Sequence, residues 1–322
     1  MFLEGGAIED KNKNIFYIIF YNEKNDEIYV KPKYIYKNNK YYKIAENKNL
    51  NLLQRYFNYN IYNYSDYLKK YTYIFYIENI NKYFNPIARL LQILENPLNV
   101  HEKAAKEIVL NIVKECGEKV QNFGISGSLL LNLQNERSDI DIFFYGNNYE
   151  QIYEALSKLF KKRKFLPIRG NFLRNLYNER GFRNVINYEI FKKIEKLKRT
   201  EGIYAKKFLF SIKLVKRRYF EITERKDTIE DEVKTINAKE AYLWPARYIV
   251  KSLINNETYS IITYRQRYTE ILKEGDIAKI KGEIEITNEG KIANVDEKGY
   301  IIPLWYSLNF KMNILKEKYI CL

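Results

Sequence analysis

The sequence predicts an α+β chain, and three observations carry that reading. Short runs of alternating β-branched and aromatic residues fill both ends of the chain. Helical spacing of apolar residues occupies its middle. At 322 residues and 46% hydrophobic content, the chain is long enough for about two domains with real cores. It divides into a β-rich segment over 1–95, a mixed core with a basic stretch over 96–235, and a β-rich end over 236–322.

Residues 1 to about 45 read as a meander, with strands over Ile15 to Tyr21, Ile28 to Tyr36 and Lys40 to Ile44. Turn residues at Asn22 to Asp26 and at Asn38-Asn39 separate them. Pro86 to Leu94 is a short helix with proline in its first turn. Ala105, Ile108, Val109, Ile112, Val113 and Cys116 recur at helical spacing, and Gly117 caps that helix. A strand over Val120 to Ser126, a short helix over Ser128 to Leu133, a strand over Asp139 to Tyr145 and a helix over Tyr149 to Phe160 follow. The runs TYSIITYR, GDIAKIKGEIEIT and YIIPLWY, punctuated by Gly275, Gly282, Gly290 and Gly299, are strand-like. About five such strands suit a small closed, OB-like barrel.

Composition excludes several chemistries. Two cysteines, Cys116 and Cys321, rule out a disulfide framework and a cysteine-rich zinc site, and fit a reducing cytoplasm. His101 is the only histidine, so multi-histidine metal sites cannot form. Its place in NPLNVHEKAAKE suits the first turn of a helix. No apolar run is long enough to span a bilayer, and the N-terminus lacks the basic-then-apolar pattern of a secretory signal.

The net charge of +15 points to a polyanionic partner. From Gln151 to Arg225 there are 21 Lys and Arg against 7 Asp and Glu, so one stretch carries nearly the whole excess. Lys161, Lys162, Arg163, Lys164, Arg169, Arg174, Arg180 and Arg183 are the candidate phosphate contacts. Phe172, Tyr177 and Phe182 are either base-stacking partners or core residues.

The informative segment is FGISGSLLLNLQNERSDIDIFFYG, Phe123 to Gly146. Gly127 lets a phosphate approach the backbone, and Ser128 opens a helix whose free N–H groups favour an anion. Asp139 and Asp141, at i and i+2 on a strand, face one side, while Ile140 and Ile142 face the other. Two adjacent carboxylates repel unless a cation lies between them, and hard oxygen ligands suit Mg²⁺. A lone Asp-x-Asp pair is ordinarily solvated surface; the Gly-Ser element at fixed spacing is what makes this one a site.

Gly-Ser, ten residues, then Asp-x-Asp resembles the signature of the DNA polymerase beta-like nucleotidyltransferase superfamily. The segments GISGSLLLNLQNERSDIDIFFYG and IITYRQRYTEILKEGDIAKIKGEIE look like an archaeal family of uncharacterised, predicted nucleotidyltransferases. The resemblance implies a nucleotidyltransferase core over 96–235, flanked by the two β-rich segments. It also implies triphosphate binding at Gly127 and Ser128, and Mg²⁺ or Mn²⁺ at the catalytic Asp139 and Asp141. The implied reaction moves a nucleoside monophosphate from an NTP to an acceptor hydroxyl, with RNA favoured by the charge. The superfamily places a third carboxylate on a later strand, and KKFLFSIKLV (Lys206 to Val215) has none. Either Glu221, in RRYFEIT, completes the site, or the site has two acids. The second case fits an RNA- or ribosome-binding module built on a catalytically weakened core.

Overall fold

The computed structural model describes residues 1–44, 57, 61–180, 186–218, 220–296 and 299–304. Helices and several sheets are mixed along the chain. They divide into two units: Met1–Gly146 with Phe210–Lys213, and Asn147–Leu209 with Leu214–Leu322. The segment expected over 1–95 and the first part of the expected core therefore fall in one unit.

The first unit begins with a sheet of seven strands: β1 (Ala7–Asp10), β2 (Ile15–Asn22), β3 (Glu27–Lys37), β4 (Lys40–Lys43), β5 (Tyr62–Ser65), β6 (Lys70–Tyr76) and β7 (Ile80–Phe84). Their order is β5-β6-β3-β2-β1-β7, with β4 paired to β3. Asp10 closes the β1–β2 turn by accepting from the Asn12 and Asn14 backbone N–H groups and the Asn14 side chain. Ile8, Phe16, Ile18, Ile28, Val30 and Phe75 form one core on this sheet, with Phe16 tilted against Phe75 at 5.1 Å.

Two helices follow, α1 (Pro86–Glu95) and α2 (Val100–Cys116). Asn85 caps α1, its side chain accepting from the Ile87 and Ala88 N–H groups, and Pro86 stands in the first turn, where no N–H is needed. Asn99 caps α2 in the same way through His101 and Glu102, and Gly117 ends it at φ +70. His101 lies in that first turn, and its side chain is buried. Helix α1 packs on α2 and on β8 (Phe123–Ile125). A four-residue helix, α3 (Gly127–Leu130), leads to β9 (Ile140–Phe144), which pairs antiparallel with β8 through Ile125↔Ile142. The strand expected from Val120 thus starts at Phe123, after a 3₁₀ turn over Val120–Asn122.

The second unit holds α4 (Tyr149–Lys161), β10 (Phe165–Leu166), α5 (Gly170–Glu179), α6 (Tyr188–Leu197) and β11 (Glu201–Tyr204). Strand β12 (Phe208–Val215) follows; its middle residues, 210–213, belong to the first unit, where β12 neighbours β9. The C-terminal strands are β13 (Ile222–Glu240), β14 (Leu243–Trp244), β15 (Ala246–Ser252), β16 (Thr258–Thr263), β17 (Ile277–Thr287), β18 (Gly290–Asn294) and β19 (Tyr300–Pro303). Their pairings run β13-β15-β16-β18-β17, and β17 pairs again with β13, so five strands form a closed circuit. The length of β13 makes this possible, since its first part pairs with β17 and its last part with β15. The β16–β18 pair is parallel, and the other pairs in the circuit are antiparallel. Ala246, Tyr248, Val250, Ala278, Ile280 and Ile284 alternate inward to form its core. Among the described residues no helix is long and apolar enough to cross a membrane.

Candidate active site

Asp141 lies on β9, and Asp139 immediately precedes it. Ile140 and Ile142 are fully buried, Asp139 is exposed and Asp141 is about one-fifth exposed, so the alternation turns both carboxylates away from the core. The Ser126 N–H donates to the Asp141 carbonyl at 2.8 Å, extending the β8–β9 pairing to the start of α3. The Ser126 hydroxyl donates to the Gly5 carbonyl at 2.5 Å, and the Tyr145 hydroxyl to the Glu4 carbonyl at 2.6 Å. The first residues of the chain are thereby tied to the residue that follows β8 and to the residue that follows β9.

Gly127 has φ +64, and a β-carbon placed on it would stand 2.6 Å from Asp141 Oδ2. Only glycine fits that conformation and that separation together. The Gly-Ser element and the Asp-x-Asp element, ten residues apart in sequence, are therefore in direct apposition.

The other oxygen of Asp141 is engaged from β12. The Ser211 hydroxyl donates to Oδ1 at 2.6 Å, and Lys213 Nζ lies 3.3 Å from the same oxygen. Lys213 also sits 4.7 Å over the Phe143 ring. Burial pushes the Asp141 carboxyl up, but the Lys213 ammonium and the Ser211 hydroxyl outweigh it and hold the group below the ordinary carboxylate value. Asp139 has no such partner among the described contacts. The adjacent Asp141 charge is the main cause that pushes it up to about 6. Lys213 and Lys43 pull the other way.

Two tyrosines of the N-terminal sheet face the same charges. Burial raises the Tyr17 hydroxyl well above its ordinary value, and Tyr34, Asp141 and Asp139 raise it further. Tyr34 is raised by burial first and by the two aspartates after it. Lys33 lies over the Tyr17 ring at 5.8 Å and adds positive potential at Asp141.

The structure thus brings Gly127, Asp139 and Asp141 together, with Ser128 half-buried in the turn that Gly127 begins. Glu221 is exposed, just ahead of β13 in the second unit, and its carbonyl accepts the Asn288 N–H. The strand beside β9 ends at Val215, and the positions on it that face Asp141 are Ser211 and Lys213. Among the described residues no three His, Cys, Asp or Glu side chains are grouped to hold a metal. Ser211 and Lys213 were legible by the same i, i+2 reasoning that found the aspartates, since Phe210, Ile212 and Leu214 are buried between and beside them.

The basic candidates divide. Lys161, Lys162, Arg163, Lys164, Arg169 and Arg174 are exposed. Arg180 is a correction: it is buried between Glu195, at 2.7 Å, and Glu201, which also hold Lys198. That cluster exists because four charges leave water together and must pair. Arg183 and Phe182 lie outside the described residues, as do Trp305, Tyr306 and Cys321. Tyr177 is a packing residue, its hydroxyl donating to the Ile186 carbonyl and its ring set edge-on to Tyr188; Phe172 packs against the same core.

No family model matches the chain, and no solved structure matches it. The chain is similar to the uncharacterized protein MJ1086 of Methanocaldococcus jannaschii, with 28% identity over 193 residues. The matched region covers 57% of this chain and 56% of that relative, so the likeness spans about half of its length.

Proposed function

We propose that the protein is a nucleotidyltransferase that moves a nucleoside monophosphate from an NTP to an acceptor hydroxyl, with RNA as the acceptor class. One observation carries the reading: Gly127 brings its backbone against the Asp141 carboxylate, so a triphosphate seated on the Gly-Ser turn lies beside the aspartate pair. A divalent ion fits the residues present. Asp139 and Asp141 are hard oxygen donors whose mutual repulsion, visible in the raised Asp139 carboxyl, a cation relieves. Two protein carboxylates suffice for Mg²⁺ when substrate phosphates and water complete its shell. The ion, held by Asp139 and Asp141, would supply positive charge to the triphosphate and the leaving pyrophosphate.

The chain's own residues do the rest. Ser211 and the backbone bond from Ser126 fix the orientation of Asp141. Lys213 and Lys33 add positive potential toward the phosphates. The exposed Lys161–Lys164 run with Arg169 and Arg174 supports RNA as the acceptor, through phosphate contacts that need no sequence preference. The closed circuit of β13, β15, β16, β18 and β17 supports an OB-like barrel, a fold that presents a strand face to oligonucleotides.

A second reading, a binding module with a weakened catalytic core, draws on Ser211 and Lys213 standing where a third acid is expected. Incubation with each labelled NTP, Mg²⁺ or Mn²⁺ and total cellular RNA decides between them. Label in RNA, abolished by Asp139→Asn, is the expected result. RNA retained on the protein with no label transferred from any NTP supports the binding module.

A further inference from the structure

We propose that the site takes a single divalent ion, with the Lys213 ammonium standing in place of a second one. The inference rests on the nucleotidyltransferase reading and departs from the two-ion arrangement that paired-carboxylate transfer sites use.

The argument is made atom by atom at Asp141. Its Oδ1 accepts the Ser211 hydroxyl at 2.6 Å and lies 3.3 Å from Lys213 Nζ. Its Oδ2 lies against the Gly127 backbone, 2.6 Å from where a β-carbon would stand. One oxygen therefore faces the Gly-Ser turn and takes part in none of the described hydrogen bonds or ion pairs, which leaves it for an ion shared with Asp139, and the other is already neutralised. A second ion at Oδ1 would have to displace a hydroxyl and an ammonium at once. It would find no third carboxylate, because among the described residues no three acidic, His or Cys side chains are grouped to hold a metal.

Lys213 is held in place by more than the ion pair. Its ammonium lies 4.7 Å over the Phe143 ring, and its neighbours Ile212 and Leu214 are fully buried, which fixes the strand that carries it. The charge balance agrees: Lys33 and Lys43 add to the positive potential of Lys213 at the two carboxylates, so one dication already makes the site net positive for a polyanionic triphosphate. Two dications beside the same ammonium would be opposed by a fixed positive charge at hydrogen-bonding distance.

Mn²⁺ titration followed by electron paramagnetic resonance, in the presence of a non-hydrolysable NTP analogue, tests this on the full chain. Wild type should bind one ion per chain. Lys213→Met keeps the side-chain length over Phe143 and should admit a second ion at least tenfold more weakly than the first. Lys213→Glu restores a carboxylate at that place and should bind two ions within the range where wild type binds one. Two ions on wild type, or one ion on both variants, overturns the inference and leaves the nucleotidyltransferase reading standing. Retention of neither Mn²⁺ nor the analogue by wild type overturns both.

Discussion

Replacing Gly127 by alanine tests the apposition on which the site depends, and Gly117→Ala supplies its control. Both glycines lie in the first unit with left-handed backbone, at φ +64 and φ +70. A residue with a β-carbon in that region costs about 1–2 kcal/mol. At Gly117 nothing lies within 4 Å of the added carbon, so strain is the whole effect, about 1 kcal/mol. At Gly127 the carbon meets Asp141 Oδ2 at 2.6 Å, and the carboxylate must retreat beyond 3.0 Å. Its retreat is resisted by the Ser211 bond on the far oxygen and the Ser126 bond to its own carbonyl. Gly127→Ala should therefore destabilise by about 2 kcal/mol or more. Misplacement of reacting groups by 1 Å costs on the order of a hundredfold in rate, so a shift of about half that should cost roughly tenfold in transfer. Urea unfolding of the two variants and transfer of labelled NMP by each are the measurements. Equal losses of transfer in Gly127→Ala and Gly117→Ala, or full transfer by Gly127→Ala, would refute the reasoning.

The two aspartates should separate in metal-free thermal melts. Asp139→Asn removes a repelled charge and raises the melting temperature, whereas Asp141→Asn leaves Lys213 without its counter-charge and costs about 1 kcal/mol. Folded Asp139 holds its proton up to about 6, above the unfolded carboxyl, so the metal-free fold loses stability as pH rises from about 4 toward 6. Solvent around this exposed group keeps the slope shallow, and Asp139→Asn should flatten it in melts taken across that window. Arg89 pairs with the buried Glu102 at 2.7 Å, and its Nε donates to the Leu129 carbonyl of α3; Arg89→Met should cost about 3 kcal/mol in urea unfolding. Replacing Lys161, Arg163, Arg169 or Arg174 by Gln should leave the melting temperature unchanged while lowering the salt slope of RNA binding by about 1 each. Arg180→Gln should instead lower the melting temperature, because Glu195 and Glu201 lose a buried partner.

What was legible from sequence was local. Helical spacing located α1, α2 and α4 to within a few residues, because each buries one face of apolar side chains at that period. Asn22 to Asp26 and Asn38-Asn39 marked turns because Asp26, Asn38 and Asn39 adopt positive φ. The apposition of Gly127 and Asp141 followed from strand, turn and strand within one short segment. The rest depends on contacts distant in sequence. Tyr17 and Tyr34 are separated from Asp141 by more than a hundred residues, and nothing in their local pattern sets them apart from the other 29 tyrosines. Strand β13 alternates Glu, Lys, Asp and Thr with few apolar residues until Val233, so it lacks a hydrophobic period. Its charges are answered across the ladder instead, as where Arg225 meets Glu283 and Glu285. Arg180 looked like a surface cation because its partners, Glu195 and Glu201, lie 15 and 21 residues further on.

The four residues that β12 lends to the first unit have a consequence for how the protein is made. Lys213 follows Asp141 by 72 positions, and the whole of α4, α5 and α6 is synthesised in between. At about 5–20 residues per second, the Asp-bearing hairpin waits roughly 4–14 s for its cation. During that interval the nascent chain carries two neighbouring carboxylates with no ammonium from β12 beside them, and β9 has an open edge on the side that β12 will cover. The first unit, though it contains the start of the chain, is completed only after most of the second unit's helices have left the ribosome.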